Sequence, residues 1–159
     1  MNNNIRKRVD EFSKKSMVII GYILKIGLII FLSLEFRRGH IELSFWLMGV
    51  SLALAGILSN KNDKKLRYIS KDFIYSTFFF ISSISAGGIL KLFGEGISAY
   101  HVFIVGHYNL ELFLTGLSFG IWGIVFSGIL FGSSSFIDAI LELFFINSKD
   151  DKRPPRIFF

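Results

Sequence analysis

Apolar residues in this chain come in long unbroken runs, not in the alternation of a strand or the single stripe of a soluble helix. Met17 to Leu34 reads MVIIGYILKIGLIIFLSL, with Lys25 as its one charge. A second run, LSFWLMGVSLALAGIL, covers Leu43 to Leu58; it is short for a crossing but extendable through Ser59 and Asn60, with Trp46 near one end. A third run extends from Phe73 to Phe93 and a fourth from Leu110 to Phe131. A hydrocarbon core of roughly 30 Å takes about 20 residues of helix, so the four runs predict four transmembrane helices. Strands exposed to lipid would leave backbone groups unpaired, and the runs lack the two-residue alternation of a barrel.

Beyond the fourth run, Ser133 to Ser148 reads SSSFIDAILELFFINS, too short and too charged for a fifth crossing. Ser135 followed by Asp138 fits a capping-box helix start, with Asp in place of the usual Glu or Gln. Asp138 and Glu142 share one face, while Phe136, Ile137, Ile140, Leu141 and Phe144 occupy most of the rest. The pattern predicts an amphipathic helix lying in the interface or docked on the ends of the spans. The expected fold is all-α: a polytopic membrane protein, a four-transmembrane-helix bundle with a short C-terminal interfacial helix. Its segments are a cytoplasmic basic N-terminus at 1–16, the transmembrane domain at 17–132, the interfacial helix at 133–148 and a cytoplasmic tail at 149–159. Pro154 and Pro155 stop any helix in that tail, which reads as a disordered end or a short peptide for a cytosolic partner.

Composition leaves little over for a soluble domain once the spans are removed, since 52% of the 159 residues are hydrophobic and 19 are Phe, so one membrane domain is the economical count. The net charge of +6 is concentrated between the runs and at the ends. Arg6, Lys7, Arg8, Lys14 and Lys15 precede the first run; Lys61, Lys64, Lys65, Arg67 and Lys71 lie between the second and third; Lys149, Lys152, Arg153 and Arg156 are in the tail. The opposite loops hold only Arg37, Arg38 and Lys91. The positive-inside rule then places both termini and the central loop on the cytoplasmic side. The basic residues of the central loop, with Arg153 and Arg156, are expected to contact anionic inner-leaflet lipid or a soluble partner, not nucleic acid. Basic residues before the first run imitate a secretory signal, but the run is longer than a typical signal core and no small-residue cleavage site follows it. The absence of Cys excludes disulfides, thiolate metal sites and cysteine nucleophiles.

Lys25 is the sharpest candidate for function. Its Cα lies nine residues from Ser16 and nine from Leu34, roughly 13 Å from either end of the helix, and a central Lys costs on the order of 3 kcal/mol on insertion scales. No Asp or Glu sits at matching depth in the other runs, so an ion pair within one chain is not expected. The residue reads as a pore-lining or voltage-responsive cation facing an aqueous lumen built by several copies; the competing reading is local water penetration and snorkelling.

Gly116, Gly120, Gly123 and Ser127 fall on one stripe of the fourth helix, and Ser76, Ser83 and Gly87 form a parallel stripe on the third. Small residues let helices approach closely in lipid, so both stripes are candidates for packing within one protomer or for the interface of a homo-oligomer. Trp122 sits mid-span, away from any interfacial belt. Tyr100, Tyr108, His101 and His107 fall on the outer side, within an interfacial or shallow re-entrant segment, Gly94 to Asn109. Its Glu95 and two histidines lack the spacing of a zinc site. Glu35, Arg37, Arg38, His40 and Glu42 read as a solvated charge cluster. No Walker loop, HExxH, GxSxG or dinucleotide fingerprint is present, so neither enzyme activity nor a cofactor is expected.

Four spans in 159 residues, the basic loop NKNDKKLRYISKDF and the charged tail resemble the layout of small membrane components of bacterial antiphage defence systems, of the RexB-like or Kiwa membrane-subunit-like kind. The resemblance covers the whole chain as architecture and contains no motif, so no residue role carries over. It implies an oligomer that senses envelope disturbance, depolarises the membrane or recruits a soluble effector. The leading expectation is a homo-oligomeric inner-membrane sensor or pore-type component working with a cytosolic partner. The alternatives are a small transporter or lipid-carrier flippase subunit, in which Lys25, Arg37 and Arg38 would guide an anionic head group, and a plain membrane anchor for a soluble enzyme.

Overall fold

The structure, a computed structural model, describes residues 3–99 and 108–145. Among these the chain forms four helices and no strand: α1 (Asn3–Arg37), α2 (Glu42–Ser59), α3 (Lys64–Ala99) and α4 (Tyr108–Phe145). Each is long and apolar enough to cross a membrane, over Val18–Arg37, Glu42–Ser59, Lys64–Glu95 and Leu110–Phe144. The four apolar runs of the sequence fall one to a helix. Three of the helices outrun them, because helix hydrogen bonding need not stop where apolar character does.

The largest departure from expectation is at the end of α4. The predicted separate helix beginning at Ser133 does not exist as such, since α4 continues without a break from Tyr108 through Phe145. Ser135 is therefore a mid-helix residue, not a cap. Packing explains the continuity: Phe136, Ile137 and Ala139 belong to the buried core together with Ile129 and Val125, and tertiary burial overrides the weak helix preference of three consecutive serines. Likewise, 94–99 of the predicted re-entrant segment are the last turns of α3, and Tyr108 begins α4. Tyr100, His101, His107 and the tail with Lys149, Lys152, Arg153 and Arg156 lie outside the described residues.

The turns are built from local chemistry. α1 closes in a Schellman arrangement, with His40 N–H bonded to Glu35 C=O at 2.9 Å and Gly39 N–H to Phe36 C=O at 3.0 Å. Gly39 takes φ 83° there, where a side chain would be strained. Glu35 gathers the predicted charge cluster, accepting from Arg38 Nη1 at 3.0 Å and lying 3.1 Å from His40 Nδ1. At the other end, Asp63 caps α3 by accepting the Lys65 N–H at 2.8 Å.

Most helix contact is between α3 and α4, then between α2 and α3; α1 packs chiefly on α4 and barely on α2. The spatial order is thus α2, α3, α4, α1. Phe73, Phe80, Val125, Ile129 and Phe136 fill the α3–α4 seam, with the Phe73 and Phe136 rings edge to face at 5.9 Å. The outside carries large apolar side chains on every helix, among them Ile23, Trp46, Phe78 and Phe119. Such a surface suits lipid, not water.

Candidate functional site: a buried ion pair between α1 and α4

α1 turns one narrow face inward. Gly21, Lys25, Leu32 and Phe36 are buried along it, with Leu28 packed against the core between them. Lys25 therefore stands where the pattern calls for an aliphatic residue. Its ammonium lies 2.8 Å from each carboxylate oxygen of Asp138. The Lys25 side chain is 0% exposed and that of Asp138 28%.

The geometry follows from helix direction. Side chains lean toward the N-terminus of their own helix. α1 and α4 run antiparallel, so the lean of Lys25 toward Val18 and the lean of Asp138 toward Gly132 converge. Gly21, one turn before Lys25, lets the helices close: a Cβ there would fall 2.8 Å from Leu141 Cδ1.

This pair corrects the expectation that no carboxylate reaches the depth of Lys25. Asp138 had been assigned to a separate interfacial helix, and the continuity of α4 is what carries it into the bundle. The pairing also removes the step that led from an unpartnered amine to a water-filled lumen, because the protomer's own atoms cover Lys25. The candidate span of α1 among the described residues is Val18–Arg37. Phe73 faces Phe136 across the α3–α4 seam, so Asp138, two residues further along α4, is level with Lys71. The pair lies toward the end of the bundle that carries the α2–α3 turn.

Beside the pair runs a set of buried hydroxyls. Ser70 Oγ donates to Ala55 C=O at 2.8 Å, Ser76 Oγ to Gly132 C=O at 3.0 Å and Ser83 Oγ to Val125 C=O at 3.1 Å. Ser51 Oγ donates to Leu47 C=O at 2.7 Å and sits 3.4 Å from Ser76 Oγ. These bonds tie α2 to α3 and α3 to α4 where apolar contacts alone gain little over lipid. Ser133 Oγ is buried without a hydrogen-bond partner.

The small residues separate into two groups. Ser83 and Gly87 lie inside the protomer, Gly87 beneath the Phe36 ring, where an added Cβ would clash with that ring. Among the described residues, a Cβ added at Gly116, Gly120 or Gly123 meets nothing of another helix within 4 Å, and Ser127 Oγ donates back to Ile124 C=O. That stripe faces away from the bundle. The close approach of α3 and α4 is made instead at Gly128 and Gly132, whose four-residue spacing is a small-xxx-small signal that the sequence reading passed over. Trp122, also unexplained by sequence, stacks on Phe126 at 5.5 Å. Lys61, Lys64, Lys65, Arg67 and Lys71 are all exposed around the start of α3.

No group of three His, Cys, Asp or Glu side chains able to hold a metal occurs among the described residues. The site is an electrostatic contact in which two residues 113 apart in sequence join α1 to α4. Comparison with known proteins finds no matching family model, no matching curated protein and no matching solved structure. Fold and site define a class only: among the described residues the protein is all-helical, with four helices long and apolar enough to span a membrane and a Lys–Asp pair joining α1 to α4.

Proposed function

We propose that this protein is a bacterial inner-membrane sensor or pore-type component in which α1 is the moving element and Lys25–Asp138 is its latch. The observation that carries the reading is the placement of a charge pair, with its Lys fully buried, on the helix most lightly packed among the described residues. In a membrane, ionisable side chains are costly and mark functional positions by default. Lys25 is fully buried, so breaking the pair leaves its charge uncompensated, a cost that can shift a helix between two positions. In this proposal both termini and the α2–α3 turn face the cytoplasm, where a soluble effector is engaged. The outward stripe Gly116, Gly120, Gly123 and Ser127 serves contact between copies. A role in antiphage defence belongs to the same proposal and is supported by layout alone.

Reconstitution into vesicles tests it. Asp138→Asn and Lys25→Met each raise ion leak across the vesicle wall relative to the unaltered protein, and the exchange Lys25→Asp/Asp138→Lys lowers it again. A plain membrane anchor predicts equal permeability in all four proteins, and that result overturns the latch.

A further inference from the structure

We propose that Lys64, Arg67 and Lys71 form a headgroup site for an anionic glycerophospholipid on the outward face of α3. Spacings of three and four residues put the three cations on one side of the helix, and all three are exposed. The same side continues without interruption into Ile74, Tyr75 and Phe78, which are 50%, 57% and 63% exposed. The opposite side of α3 is occupied, since Ser70 bonds to α2 and Ser76 bonds to α4. The outward face is thus one strip, apolar at Phe78, Tyr75 and Ile74 and cationic at Lys71, Arg67 and Lys64.

The dimensions match a lipid. At 1.5 Å per residue the change from apolar to cationic, Ile74 to Lys71, takes about 4.5 Å, and the whole strip from Phe78 to Lys64 about 21 Å. An acyl chain lying along Phe78 and Ile74 brings its phosphate to Lys71 and Arg67. The guanidinium fork of Arg67 suits two phosphate oxygens, while Lys71 and Lys64 act as point charges. The nearby carboxylate of Asp63 is engaged as the cap of α3. An acidic soluble protein could reach the cations but would leave the apolar half of the strip uncovered, so lipid is the occupant that accounts for both halves. This inference stands apart from the latch, because none of its residues touches Lys25 or Asp138.

Each cation near an anionic surface contributes about a fivefold preference, so removing three lowers it on the order of 100-fold at most. The test uses the full chain in mixed vesicles, with Tyr75→Trp as reporter in a Trp46→Phe/Trp122→Phe background. Quenching by brominated phosphatidylglycerol is compared with quenching by brominated phosphatidylcholine. The expected result is several-fold preferential quenching by phosphatidylglycerol, lost in Lys64→Gln/Arg67→Gln/Lys71→Gln. It is also lost for the reporter protein with all three cations intact at about 1 M salt, where the screening length falls to about 3 Å. The salt arm needs no change to the cationic residues, so a misfolded triple variant leaves the question decidable. Equal quenching by the two lipids in the reporter protein overturns the proposal, as does a preference that survives the triple substitution.

Discussion

Gly128→Ala isolates the contact on which the α3–α4 seam depends. A Cβ at Gly128 would fall 2.7 Å from Ser83 Cβ and 2.8 Å from the Phe79 carbonyl oxygen. Both atoms belong to or sit on the α3 backbone, so no flexible side chain can yield. Relief requires the helices to part by roughly 0.5–1 Å, which is overpacking at a cost of about 1–3 kcal/mol. The same movement stretches the Ser83–Val125 and Ser76–Gly132 bonds, each worth about 0.6 kcal/mol in a membrane protein. Against this, Ala gains about 1 kcal/mol of helix propensity over Gly. The net expectation is a loss of about 1–3 kcal/mol. Gly49→Ala is the matched control, because a Cβ there meets nothing within 4 Å and only the propensity gain remains. Reversible unfolding of both variants in detergent and denaturant, followed by tryptophan fluorescence, gives the two stabilities. If Gly128→Ala proves as stable as Gly49→Ala, the close approach of α3 and α4 at this level is wrong.

Two further outcomes follow from the hydroxyls and from the absence of Cys. Ser76→Ala removes the α3-to-α4 bond to Gly132 and the contact with Ser51, and is expected to cost about 0.5–1.5 kcal/mol in the same titration; Ser82→Ala, which loses only a bond to Phe78 C=O in its own helix, should change stability by a few tenths of that at most. In the natural Cys-free chain, Asn62→Cys should resist a membrane-impermeant thiol reagent added to intact cells while His40→Cys reacts. The reverse labelling would invert the proposed orientation.

The fold was legible wherever a single helix decides the matter. Four continuous apolar runs are enough to place α1 to α4, because in lipid the helix is the form that satisfies its own backbone. What stayed hidden depends on two helices at once. The reading broke α4 at Ser133 because Ser-Ser-Ser and Asp138 resemble a helix start in isolation, whereas the burial of Phe136, Ile137 and Ala139 against α3 is invisible until the partner is known. The Lys25–Asp138 pair was lost through that same break. Yet a local signal existed: Gly21, Lys25, Leu28 and Leu32 repeat at four, three and four, the spacing of an inward face. The choice of Gly116, Gly120 and Gly123 over Gly128 and Gly132 has a similar cause, since both sets share the small-residue spacing and only the position of α3 says which set it covers.

The pattern of attachment along α1 connects the ion pair to movement. Leu32 and Phe36 are the α1 residues in the core, with Leu28 and Ile29 packed beside them, and all four lie on the Arg37 side of Lys25. Toward Val18, Lys25 pairs with Asp138 and Gly21 lies against Leu141. The head of α1 is held by apolar packing under the α1–α2 turn, while the ion pair joins the other half of the helix to α4. Apolar contact is nearly indifferent to membrane potential or local ions, whereas an ion pair level with the cationic end of α3 is not. In the proposed latch, loss of the pair releases this half of α1 while Phe36 over Gly87 remains as a pivot, so the helix swings instead of detaching. A Leu at position 25 would hold the same inward face at lower cost in lipid; on that proposal, the Lys makes the position of α1 depend on electrical conditions.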